Sequence, residues 1–136
     1  MSFKYQEKPL TKLKQNYSSR KKHNGFESFD DFLDWYNTQT KACHYCGVSE
    51  HDCQEIVMTG LLTSNRFPQN GVLGRGQSRG VWLEVDRLKP KGKYSRENAV
   101  LCCYFCNNDK SDVFDGDDYF QFMQNRHEFL KRILNK

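Results

Sequence analysis

No run of apolar residues in this chain approaches membrane-spanning length, and the opening from Met1 to Asn16 is lysine-rich and polar, without the apolar stretch of a secretion signal. The expectation is a cytoplasmic protein, neither secreted nor membrane-bound. Apolar residues are also scarce: they make up 37% of the chain against 28% charged, and mean hydropathy is −0.88. A chain of 136 residues is expected to form one domain over 1–136 with a modest core, for which a structural metal would compensate. No internal repeat or second domain is visible.

Against that background the six cysteines stand out. Four fall in two short turns, Cys43-His44-Tyr45-Cys46-Gly47 and Cys103-Tyr104-Phe105-Cys106-Asn107. A two-residue spacer lets both sulfurs of a turn reach one ion, so the four thiolates can close a tetrahedron around Zn²⁺. Three disulfides in a secreted protein are the alternative, and the polar N-terminus argues against them. Cys102 reads as a small buried hydrophobe, and Cys53 has no evident role.

Net charge is only +4, but it is unevenly distributed. Residues 4–23 carry Lys4, Lys8, Lys12, Lys14, Arg20, Lys21, Lys22 and His23, with Glu7 the single acid. Residues 66–96 carry Arg66, Arg75, Arg79, Arg87, Lys89, Lys91, Lys93 and Arg96 against Glu84 and Asp86. Such segments suit phosphate-backbone contacts, although a charge run can equally be a solvated face.

Residues 1–25 read as a basic arm, or as a helix from about Pro9 to Lys22. Ser28 to Asn37 reads as a helix capped by Ser28, with Phe29, Phe32, Leu33 and Tyr36 on one face. Ile56-Val57-Met58 suggests a short strand. Asn65, Pro68, Asn70-Gly71, Gly74, Gly76 and Gly80 then punctuate a long irregular stretch, which Arg66, Arg75 and Arg79 mark as a nucleic-acid contact loop. Val81 to Arg87 alternates like a half-buried strand, Lys89 to Lys93 forms a turn, and Ala99 to Cys102 forms a second strand. A helix is predicted from about Asn107. A final one follows over 115–136, with acids at its start, Lys131, Arg132 and Lys136 at its end, and a stripe of Tyr119, Phe122, Met123, Leu130, Ile133 and Leu134.

The ordered set Cys43-x-x-Cys46-Gly47, Leu83-Glu84-Val85-Asp86-Arg87, Tyr94-Ser95-x-x-Asn98 and Cys103-x-x-Cys106-Asn107-x-x-Lys110-Ser111 resembles the HNH nuclease superfamily. The resemblance implies an α+β chain: a small zinc-stabilised ββα-metal core over 43–114, helices ahead of it and a C-terminal helix behind. Arg87 stands where the common superfamily pattern has His, a variant similar to a small restriction enzyme of that superfamily. The similarity extends to His23, Phe32-Leu33-x-Trp35-Tyr36, Tyr45 and Phe114. It implies that Asp86 and Asn107 hold a catalytic Mg²⁺ or Mn²⁺, that Cys43, Cys46, Cys103 and Cys106 hold the structural zinc, and that Asn98 braces the intervening loop.

Phosphodiester hydrolysis needs an activated water and a Lewis acid at the leaving oxygen, and hard cations take oxygen ligands. A guanidinium cannot accept a proton, so Arg87 fits the phosphate and not the water. For the general base Tyr45 ranks first, its pKa drawn down by cation and Arg87, then His23, then His44. The expected activity is metal-dependent hydrolysis of double-stranded DNA, in a restriction, homing or phage role inside a bacterial cell or an infected host, with a homodimer admissible. Arg66, Arg75, Arg79, Lys89, Lys91 and Lys93 are the expected DNA contacts. The alternative is a zinc-stabilised nucleic-acid-binding module on the same fold without cleavage.

Overall fold

In the computed structural model, which describes residues 3–136 and only the backbone at Lys21 and Phe122, the chain begins with α1 (Leu10–Ser19), a 3₁₀ turn (Lys21–His23), α2 (Phe29–Thr38) and α3 (Glu50–Met58). Strands β1 (Glu84–Arg87) and β2 (Ala99–Cys102) follow, then α4 (Tyr104–Lys110), α5 (Gly116–Phe122) and α6 (Arg126–Leu134). This is an α+β architecture. Met1 and Ser2 of the predicted basic arm lie outside the described residues. Among those residues no helix is long and apolar enough to cross a membrane.

Local chemistry sets most helix starts. Ser28 Oγ accepts from Asp31 N at 3.1 Å, with Asp30 and Asp31 in the positive first turn of α2. Phe32, Trp35 and Tyr36 of that helix are buried. The same device opens α3, where Ser49 Oγ accepts from Asp52 N at 3.0 Å. Here the structure corrects the sequence reading, since Ile56-Val57-Met58 ends a helix and is not a strand. Glu50, Cys53, Gln54 and Val57 share the buried face, and two of these are polar, which hides the helical period. Both are satisfied by the chain around them: Glu50 accepts from Leu83 N and the Tyr5 hydroxyl, and Gln54 donates to Gln6 O and Val81 O. The N-terminal segment is thereby docked, and Trp82 Nε1 also donates to Gln6 O at 2.9 Å.

β1 and β2 pair antiparallel, Glu84 opposite Cys102 and Asp86 opposite Val100. β2 matches its predicted span. β1 is shorter than predicted, because Val81, Trp82 and Leu83 are buried outside any ladder. The predicted solvent face is also absent: Trp82 and Asp86 are buried as well as Val85, the first under the N-terminal segment and the second under α4. The turn between the strands closes by Gly92 N donating to Lys89 O at 2.9 Å.

α4 begins three residues earlier than predicted, because Cys103 Sγ accepts from Cys106 N at 3.4 Å and so caps the helix. The predicted C-terminal helix is two helices. Asp115 starts α5 by accepting from Asp117 N, the helix is interrupted over residues 123–125, and α6 follows. Tyr119, Met123 and Leu130 of the predicted stripe are buried, and the break allows Arg126 to reach Asp109 at 3.4 Å. The buried side chains, the four metal-turn cysteines included, form one cluster.

Candidate active site

Each cysteine turn is preorganised by its own backbone. Gly47 N donates to Cys43 O and Cys43 N to Val48 O, with Gly47 at φ +83°, a conformation glycine adopts without steric cost. Cys46 N donates to Cys43 Sγ at 3.5 Å, matching the contact between Cys106 and Cys103. His44 N donates to Leu101 O at 2.8 Å, which ties the first turn to β2. All four sulfurs are buried and lie within 4.8 Å of one another, a donor set suited to one tetrahedral ion. Cys53 and Cys102 are buried as well.

The sheet meets α4 through polar pairs. Glu84 and Asp86 share a strand face by the period of two, and Asn107 and Lys110 share a face of α4. Asn107 Nδ2 donates to Glu84 Oε1 at 2.7 Å. Lys110, 0% exposed, lies 3.1 Å from Asp86 Oδ2 and donates to Arg87 O at 3.0 Å. The Tyr45 hydroxyl donates to the same Asp86 Oδ2 at 2.6 Å. Among the described residues Asp86 Oδ1 accepts only the long 3.5 Å contact from Lys110 Nζ, so that oxygen is the more open one. Asp86 itself is 7% exposed. The Asn107 contact commits the amide nitrogen and keeps the amide oxygen for another partner. Two oxygen donors of this kind fit a hard divalent cation.

Asp86, Arg87, Tyr94, Asn107 and Lys110 line one recess of ≈ 180 Å³. Arg87 is oriented there by donating Nη1 to Gly92 O at 3.0 Å and by stacking 5.0 Å from the Tyr94 ring centroid. Asn98 braces the turn behind it, accepting from Lys89 N at 2.9 Å and donating to Lys89 O and Lys93 O.

A wider cleft of ≈ 540 Å³ shares Tyr94 and Asn107 with that recess and is lined also by Lys8, Lys12, Arg20, His23, Arg79 and Glu84. His23 is exposed there, and its backbone carbonyl accepts from Tyr94 N at 2.7 Å.

Other sequence-predicted residues have different surroundings. Tyr45 is buried, and Gly116 packs so close that a Cβ would lie 3.0 Å from its hydroxyl and 2.8 Å from Leu88 Cδ2. Burial first, and then the Asp86 carboxylate, push the Tyr45 phenol well above its usual range. His44 is exposed. Arg66 Nη1 donates to the Tyr104 hydroxyl at 2.8 Å. Arg79 pairs with both oxygens of Glu84 at 2.9 and 3.0 Å and stacks on Tyr104. Lys89 pairs with Asp115 at 2.9 Å. Arg75, Lys91 and Lys93 are exposed, outside both recesses. Sequence reasoning missed the buried position of Lys110 and the part Glu84 plays against α4. The alternation of Glu84 with Asp86 is the signal that could have found the second.

The two-stranded hairpin, the helix behind it and the four-cysteine cluster define an HNH-like fold. A solved structure with this fold is that of the rare-cutting HNH restriction endonuclease PacI, to which the chain is similar with a TM-score of 0.60 and 24% identity, over 86% of this chain and 75% of that one. No family model and no curated protein matches the chain.

Proposed function

We infer that this chain is a metal-dependent endonuclease of the HNH type, hydrolysing phosphodiester bonds of double-stranded DNA. The observation that carries this reading is the convergence of Asp86, Arg87 and Asn107 on one recess beside the cysteine cluster. The fold it shares with a restriction endonuclease supports it.

Cys43, Cys46, Cys103 and Cys106 hold a structural zinc. Asp86 and Asn107 hold Mg²⁺ or Mn²⁺, which when bound supplies a Lewis acid for the leaving oxygen. Lys110 and Tyr45 act on Asp86 Oδ2 and fix the carboxylate, leaving Oδ1 as the oxygen that would bind the cation; they are positioning residues. Arg87 has one N–H on Gly92 O and turns others to the scissile phosphate, stabilising its charge as the bond breaks. The Tyr45 hydroxyl hydrogen is directed into Asp86, so it does not serve as the base. His23, exposed in the wider cleft that Asn107 and Glu84 also line, takes the proton from the attacking water.

One observation favours the second reading, a nucleic-acid-binding module without cleavage: Asp86 already carries a cationic partner in Lys110. Incubating plasmid with the protein in Mg²⁺, Mn²⁺ or EDTA separates the two. The nuclease reading expects metal-dependent nicking or linearisation, falling about 10²–10³-fold in Asp86→Ala. Retained DNA binding with no cleavage in either metal establishes the module instead.

A further inference from the structure

The wider cleft holds more positive charge than its own acid balances. Glu84 is taken by Arg79 and Asn107, which leaves Lys8, Lys12 and Arg20 without a carboxylate in the cleft wall. Lys12, Asn16 and Arg20 recur every four residues along α1 and its C-cap, Lys8 precedes the helix beyond the extended Pro9, and all four line the cleft.

Arg20 is the most telling. Its guanidinium sits 4.8 Å from the Tyr94 ring centroid and 5.4 Å from that of Phe32, and its Nη1 is buried with no hydrogen-bond partner among the described residues. Buried donors are nearly always satisfied, so an unsatisfied one at a cleft wall marks the place of an absent acceptor. Lys8 is half-buried nearby, and burial, followed by the charge of Arg20, pulls its ammonium pKa down to about 8. Lys12 Nζ donates to Ser78 Oγ at 3.3 Å and lies over the Trp82 ring. A solvated lysine face would show neither this burial nor a buried Nη1 donor without an acceptor.

We propose that Lys8, Lys12 and Arg20 form a subsite for a backbone phosphate adjoining the one held at Asp86 and Arg87, with the nucleic-acid strand crossing Tyr94 between them. The identity of that phosphate rests on the nuclease reading; the presence of an anion subsite does not. The subsite's partners are N–H donors only, which suits the two unesterified oxygens of a phosphodiester. The wall shared through Tyr94 and Asn107 puts it next to the recess where cleavage would occur.

The test compares wild type, Arg20→Gln, Lys8→Met and, as a control on exposed α6, Lys131→Gln. Affinity for a fluorescent duplex is measured in EDTA across a salt series, with circular dichroism to establish folding. Arg20→Gln and Lys8→Met are each expected to lose about tenfold in affinity and about one unit of log–log salt slope, and Lys131→Gln neither. Lys8→Met is also expected to raise Tm, because it removes a half-buried charge without a partner, and a purely structural lysine would lower it. Should Arg20→Gln not fold, Lys8→Met decides alone. Unchanged affinity and slope in the folded variants, with wild-type binding intact, overturn the subsite and leave the nuclease reading standing. If wild type neither binds nor cuts DNA, the nuclease reading fails and titration with inorganic phosphate decides the subsite. A shift of the Trp82 indole N–H resonance that vanishes in the variants keeps it, and no shift overturns it.

Discussion

Asp86 is held on one oxygen by Tyr45 and Lys110, so its geometry is fixed before any ligand arrives. Removing either partner would leave a nearly buried carboxylate short of a donor, and losing the ammonium is the more severe change because it leaves a buried charge uncompensated. Arg87 differs: it is half-buried, tied by one hydrogen bond and one ring, and can be changed without orphaning the carboxylate. Arg87→Ala is therefore expected to fold and keep its metals while cleavage falls about 10²–10³-fold. Arg87→His restores the common superfamily pattern. With His23 as the base, that variant should cleave poorly, as judged by single-turnover rates, and His23→Ala should be comparably slow. A fully active His23→Ala would remove His23 from the base role, and a fully active Arg87→His would show that a histidine placed at 87 can serve in its stead.

At the scale of elements, the two cysteine turns join parts of the chain that local structure does not. The first turn is pinned to β2 through His44 N, and the second caps α4 through Cys103. Metal loading should thus fix the angle of α4 to the sheet, and with it Asn107. Purified protein is expected to carry about one zinc per chain, and Cys106→Ser to lose it together with a large drop in Tm. Folded wild type with no bound zinc would refute this. The cysteine spacing and β2 were legible in the sequence because each rests on local chemistry, and the Asn98 brace followed from the superfamily resemblance. α3 was not, because Glu50 and Gln54 occupy its buried face and read as solvent positions. The burial of Lys110 is not legible either, since it depends on a carboxylate 24 residues away in sequence. The break between α5 and α6 was hidden by an apolar stripe that continues across it.

At the scale of the molecule, the N-terminal region is built into the fold and does not trail from it. Gln6 is bonded to Gln54 and Trp82, and Asn24 bridges to Tyr94. This packing half-buries Lys8 among Arg20, Lys12, Glu84 and Glu50, which gives stability an uncommon pH dependence. The ammonium pKa falls from 10.5 to about 8 in the folded chain, so between those values the unfolded chain binds a proton that the folded chain does not. Stability contributed through this group therefore rises with pH across that window, and the destabilisation is fully present below it. Thermal unfolding from pH 8 to 10.5 should show wild type gaining on Lys8→Met as pH rises, and a constant difference would refute the assignment. Tyr94 gives the docking of α1 a further consequence. Its ring carries Arg20 on one side of the site and Arg87 on the other, so the two arginines share one support. A defect at position 94 would strike substrate grip and bond breaking together, and kinetics alone could not apportion it between them.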